Sequence, residues 1–131
     1  MLNPTGGEIR SDSMGDGHYG ARRDNGSRTH AGIDFVAIPY QPVIAPISGI
    51  ITRKVIVYPD SSKWVGLEIK GNRATIKLFY VVPDDDKISI FVHAGDVIGT
   101  AQDISKRYSP KMTPHVHLEI VKLDPMCLME V

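Results

Sequence analysis

From about Ile33 onward the chain is written in short apolar or alternating runs broken by proline and glycine. The runs are "PVIAPI" (42–47), "GIITRKVIVY" (49–58), "WVGLEIK" (64–70), "ATIKLFYVV" (74–82), "KISIFV" (87–92), "DVIGTA" (96–101) and "HVHLEIVKL" (115–123). Each has the length of a strand and is rich in Val, Ile, Thr and aromatics, with turn residues such as Gly71-Asn72 and Pro83-Asp84 at its borders. Helix signals are almost absent. Only "DISKRY" (103–108) suits a turn or short helix, and nine prolines interrupt the rest. The pattern predicts a mainly β, single-domain fold built on an antiparallel sheet with long loops.

Before Ile33 the texture is different. Residues 1–29 are rich in Gly, Ser, Asp, Asn and Arg and carry little periodicity. They read as an irregular N-terminal arm (1–27) packed on a domain spanning 28–131 and lining its groove. A chain of 131 residues suits one such core.

Fifteen basic residues balance fifteen acidic ones, so net charge offers no reason to expect nucleic acid or an anionic membrane surface as a partner. No run is apolar enough to span a bilayer, which excludes membrane insertion by a helix. The run "MLNPTGGEIRSDSMGDG" lacks the charged start and apolar stretch of a signal peptide, so export is expected to use another route or a segment outside this sequence. The single cysteine, Cys127, rules out an internal disulfide and a multi-cysteine zinc site. It reads as a small apolar packing residue. Any metal must then be held by histidine and carboxylate.

Those residues occur in two clusters. In "PHVHLEI" the spacing of His115 and His117 puts both imidazoles on one side of a strand, together with Glu119. Val116, Leu118 and Ile120 are then expected to face the core. In "HAGID", His30 and Asp34 share a face of an extended segment, with Ala31 and Ile33 inward, and Gly32 argues against a regular helix. Two imidazoles and one carboxylate suit Zn²⁺ with a fourth position left for water. Spacing alone leaves the alternative open, a strand pair of exposed or hydrogen-bonded histidines.

At these residues the chain resembles the lysostaphin-type (LytM-like) zinc endopeptidases of peptidoglycan, whose pattern is HxxxD followed late in the domain by HxH. The matching positions are His30 and Asp34 in "RTHAGIDF" and His115 and His117 in "PHVHLEI". "PVIAPISGIIT" (42–52) and "VHAGDVIGTA" (92–101) resemble the family's intervening strand–turn–strand and hairpin. The likeness covers roughly residues 28–121. It implies one Zn²⁺ held by His30, Asp34 and His117, with His115 as a catalytic histidine beside it. The arm "EIRSDSMGDGHYGARR" and the run "KLFYVVP" are also similar to leukocyte cell-derived chemotaxin 2, a non-peptidase with the same fold, and to phage and prophage versions of the domain.

One departure bears on activity. Active members of the family carry a further histidine in a "YxHL" strand, and the corresponding run here, Leu78 to Pro83, has none. Tyr80 in that run could donate a hydrogen bond to an oxyanion, or simply pack. His18 could border the groove, and Arg22, Arg23 and Arg28, which flank His30, could bind a substrate carboxylate or carbonyl; a structural or exposed histidine and solvated or salt-bridged arginines are the commoner roles. His93 and Asp96 read as surface and turn residues, and Glu119 as a partner of the histidines or an exposed carboxylate.

The resemblance implies a zinc-dependent endopeptidase that hydrolyses peptide bonds in bacterial peptidoglycan. It would be virion-associated or delivered to the cell envelope, with a phage particle or another protein as a possible partner. The alternative is a catalytically silent zinc-binding module that holds a cell-wall peptide or a protein.

Overall fold

The computed structural model describes residues 1–12, 15–17, 22–23, 28–29 and 32–123. Four two-residue strands lie in the first part of the chain: β1 (Ser11–Asp12), β2 (Gly15–Asp16), β3 (Arg22–Arg23) and β4 (Arg28–Thr29). β1 pairs with β2, and β3 with β4. The following strands are β5 (Ile33–Val36), β6 (Pro42–Ile44), β7 (Gly49–Tyr58), β8 (Ser61–Lys70), β9 (Ala74–Phe79), β10 (Val81–Pro83), β11 (Phe91–Val92), β12 (Val97–Ala101) and β13 (His115–Leu123). They form a six-stranded antiparallel sheet ordered β11-β7-β8-β9-β13-β5 and a three-stranded sheet ordered β10-β12-β6. The mainly β, antiparallel fold read from the alternation is what the chain adopts. "DISKRY" supplies one 3₁₀ turn, Ile104–Lys106.

The core lies between the two sheets. Ile51, Leu67, Ile69, Ile76, Leu78, Val116 and Leu118 project from the large sheet, and Val43, Val81, Ile98 and Ala101 from the small one; all are buried. Excluding water from each of the Val, Leu and Ile side chains contributes about 1.5–3 kcal/mol. On the opposite face of the large sheet, a smaller cluster gathers Trp64, Tyr80, Ile104 and Met112. The middle of β8 is therefore buried on both sides, with Leu67 and Ile69 in the main core and Trp64 in the second cluster.

Three sequence expectations are corrected. The run 74–82 is two strands, because Tyr80 adopts a left-handed backbone (φ 69°) that directs β10 into the small sheet. Backbone bonds fix this corner: Tyr80 N–H donates to Val65 O (2.8 Å), and Gln102 N–H donates to Tyr80 O (2.8 Å). In "KISIFV", Lys87 closes a 3₁₀ turn and Ser89 has φ 69°, so only Phe91–Val92 is strand. Ile120 does not enter the core; it is 48% exposed, because β13 runs past the covering sheet and its register with β9 shifts between Ile120 and Lys122.

Candidate metal and catalytic site

Asp34 and His117 are direct cross-strand partners on β5 and β13, and His117 is in turn opposite Phe79 of β9. The antiparallel register thus puts Asp34 beside His117 although 83 residues separate them. His115 lies two residues back on the same face. All three side chains are buried, with Asp34 at 2%, His115 at 4% and His117 at 8% exposure. Gly32 makes the approach possible: a Cβ there would sit 2.1 Å from Leu118 O and 2.9 Å from the His117 ring.

The polar contacts are dense. His117 Nδ1 lies 2.8 Å from Asp34 Oδ1, and its other ring nitrogen faces Glu119 Oε1 at 3.5 Å. Phe79 stacks on the His117 ring, with centroids 5.2 Å apart and planes within 19°. His115 Nδ1 donates to Thr113 O at 2.8 Å, which directs Nε2 towards Asp34 Oδ2, 3.5 Å away. Burial lowers the His115 pKa below the ordinary 6.5, partly opposed by the Asp34 charge. The imidazole is therefore neutral near pH 7.

Two residues not singled out in the sequence complete the network. Arg10, only 3% exposed, donates from Nε to Asp34 Oδ2 (3.1 Å) and from Nη1 to Asp12 Oδ1 (3.1 Å). Asp12 Oδ2 accepts the Thr113 N–H at 2.8 Å. Both come from the polar run before β2, where no periodicity marks a buried position. The one available signal was the likeness of "EIRSDSMGDGHYGARR" to arms of related domains.

Tyr80 stands beside this group. Its ring meets His115 edge-on at 5.4 Å, and its hydroxyl is 2.7 Å from Tyr58 Oη, which also bonds Tyr108 Oη. Burial raises the Tyr80 pKa to about 12, so the phenol remains protonated at neutral pH. Arg107 lies over the Tyr58 ring at 3.7 Å and pairs with Asp60.

The other candidates divide clearly. His93 is a surface residue whose N–H donates to Asp96 Oδ2 (2.9 Å), so Asp96 is a turn former. Glu119 is half-buried behind His117. His18, His30, Ala31 and Cys127 lie outside the described residues, as do the side chains of Arg22, Arg23 and Arg28. Among the described residues, no three His, Cys, Asp or Glu side chains are disposed to hold a metal ion by themselves. The donors present nevertheless fit zinc: Asp34 and His117 bring a carboxylate oxygen and an imidazole nitrogen to one buried point, and Glu119 backs the second ring nitrogen.

The fold is that of a known architecture, the lysostaphin-type peptidase fold. The chain superposes on the catalytic domain of the antimicrobial peptidase lysostaphin from Staphylococcus simulans with TM-score 0.56 at 22% identity, covering 92% of each chain. It matches the prophage-encoded protein EnpA of Enterococcus faecalis, as a catalytic-domain mutant, with TM-score 0.58 at 20% identity over 88% of this chain and 85% of that one. Helicobacter pylori Csd3 matches with TM-score 0.61 at 18% identity over 98% of this chain. This chain spans 33% of Csd3, and 45% of lysostaphin as determined in solution. The sequence matches no protein-family model and no curated protein. Among the described residues no helix is long and apolar enough to cross a membrane.

Proposed function

We propose that the chain is a zinc-dependent endopeptidase that hydrolyses peptide bonds in bacterial peptidoglycan. The observation that carries this reading is the buried convergence of Asp34, His115 and His117 on one face of a lysostaphin-type sheet. Their desolvation is offset by bonds among themselves and to Arg10 and Thr113, and buried clusters of titratable groups of this kind concentrate at functional sites. His30, Asp34 and His117 would hold the ion. When bound, zinc supplies Lewis-acid chemistry, polarising a carbonyl and making water more acidic.

The chain's own groups have separable roles. The Thr113 carbonyl keeps the His115 proton on Nδ1, so Nε2 is the basic atom and accepts a proton from water during attack. Returned to the leaving amine, that proton completes the hydrolysis. Tyr80 takes the place of the missing "YxHL" histidine as hydrogen-bond donor to the developing oxyanion, its phenol held protonated by burial. Phe79 keeps the His117 ring in plane. A phage or prophage setting agrees with the likeness of the arm to such domains and with EnpA being prophage-encoded.

A second reading is favoured by one observation, the absence of histidine between Leu78 and Pro83. On it, the domain binds zinc and a cell-wall peptide or protein partner but does not turn over. Purified peptidoglycan digested with zinc-loaded protein and read by mass spectrometry separates the two. The enzyme releases new amino termini, and His115→Ala abolishes them. Intact peptidoglycan of several cross-bridge types, with wild type and His115→Ala indistinguishable, would sink the enzyme reading.

A further inference from the structure

The groups proposed to hold the metal and move the proton come from "HAGID" and "HVH", yet a third segment is built into the same buried space. Arg10 is a guanidinium almost wholly removed from water, a costly placement unless its charge and donors are matched. It is matched by two carboxylates, Asp34 at 3.1 Å from Nε and Asp12 at 3.1 and 3.2 Å from Nη1. The backbone is fixed as well: Arg10 N–H donates to Asp34 O (2.9 Å), Gly17 N–H to Arg10 O (2.6 Å) and Asp34 N–H to Gly17 O (2.6 Å). Gly17 is needed for that three-way approach, since a Cβ there would lie 2.5 Å from Asp34 Cβ and 2.9 Å from Arg10 Cβ.

Followed atom by atom, these contacts form a chain from Asp34 to His115. Asp34 Oδ2 accepts from Arg10 Nε, Arg10 Nη1 donates to Asp12, Asp12 Oδ2 accepts from Thr113 N–H, and Thr113 O accepts from His115 Nδ1, with the unprotonated His115 Nε2 lying 3.5 Å from Asp34 Oδ2. We propose that Arg10 and Asp12 are positioning residues of the metal site. Arg10 braces the Asp34 carboxylate through Oδ2 so that Oδ1 is presented beside His117, and Asp12 relays the constraint through Thr113 to the His115 ring.

The chemistry suits a planar fork rather than a point charge. A guanidinium offers differently directed N–H groups from one rigid plane, so it holds two carboxylates at a set angle; an ammonium does not. Formal charges fit too. The guanidinium between the two carboxylates limits repulsion between Asp12 and Asp34. The inference rests on the zinc reading of Asp34 and His117 and adds to it the claim that the N-terminal segment is part of the site.

The test uses the full chain and two probes, zinc in competition with a chromogenic chelator and cobalt(II) with its visible absorption. Wild type is expected to take up one ion. Arg10→Met should weaken zinc binding about tenfold or more and alter the cobalt band shape, as loss of a group supporting a ligand does. Arg10→Lys should recover only part of the affinity. Asp12→Asn, which loosens Arg10 and the Thr113 turn while keeping the Arg10–Asp34 bond, should weaken zinc binding less than Arg10→Met does. Long-range ¹H–¹⁵N correlation should then show His115 moving from one tautomer to a mixture. If Arg10→Met does not fold, the Arg10→Lys affinity and the Asp12→Asn spectrum decide. Zinc bound by the Arg10 variants as tightly as by wild type, or more tightly, overturns the inference, since Arg10 would then be inert or a competing cation. Failure of wild type itself to bind zinc marks failure of the underlying reading instead, and the inference falls with it.

Discussion

Over His115–Leu118 both faces of β13 are buried, and they are held in different ways. Val116 and Leu118 enter the main core at 0% and 4% exposure, where close packing without direction suffices. His115 and His117, one residue away on the other face, are at 4% and 8%, and each is fixed by bonds of defined direction. Burial alone therefore says little about what a position contributes. On the first face the measure is volume, and on the second it is whether each donor keeps its acceptor.

The contrast can be broken most severely at Asp34. Asp34→Ala removes the carboxylate shared by Arg10, His115 and His117, leaving the guanidinium with Asp12 as its partner in a dry site. A loss of about 3–5 kcal/mol in urea unfolding is expected, together with any rise in melting temperature caused by added zinc. Leu118→Ala probes the other face. It should cost about 2–4 kcal/mol through the cavity it leaves, yet retain a zinc-dependent rise of wild-type size. A Leu118→Ala protein that no longer responded to zinc would show that the faces are not independent.

Smaller effects sharpen the boundary between them. Tyr80→Phe removes the hydroxyl that meets Tyr58 and should cost about 0.5–1.5 kcal/mol, read by urea unfolding. Its effect on peptidoglycan turnover should exceed its effect on stability if the phenol serves the oxyanion. At the far end of the scale is Glu68. The Thr52 hydroxyl (2.8 Å) and, less strongly, Arg53 hold its carboxyl below the ordinary 4.5. A carboxyl with a lowered folded pKa contributes fully above 4.5 and loses that contribution as pH falls through its lower folded value. A carbon-13 titration of Glu68 should show the lowered midpoint, and Thr52→Ala should move it upward.

The strands are legible because β residues alternate over a half-buried surface, as Ile76 and Leu78 of β9 do between less buried neighbours. The pairing of Asp34 with His117 was not in the alternation; it depends on antiparallel register between segments far apart in sequence, and only a family pattern pointed to it. Arg10 and Asp12 escaped notice because a buried ion network has no period, and charged residues in a Gly-rich run read as solvated. In "ATIKLFYVV" Tyr80 reads as a further strand residue and a candidate oxyanion donor, and the alternation gives no sign of a corner there. A left-handed tyrosine is uncommon and costs strain of order 1–3 kcal/mol, so nothing in "LFYVVP" announces the corner that brings its ring against His115.

β5 is the last strand of the large sheet, and its outer edge would otherwise offer an open row of backbone donors and acceptors. The first residues of the chain cover it. Ile9 bridges Phe35, and Val36 N–H donates to Glu8 O at 2.7 Å. An uncovered edge invites the edge of another molecule, the common beginning of sheet-to-sheet aggregation. The segment beside Asp34 thus also closes this sheet edge to a second molecule, and a proteolytic nick in it is expected to bring stickiness as well as lost geometry.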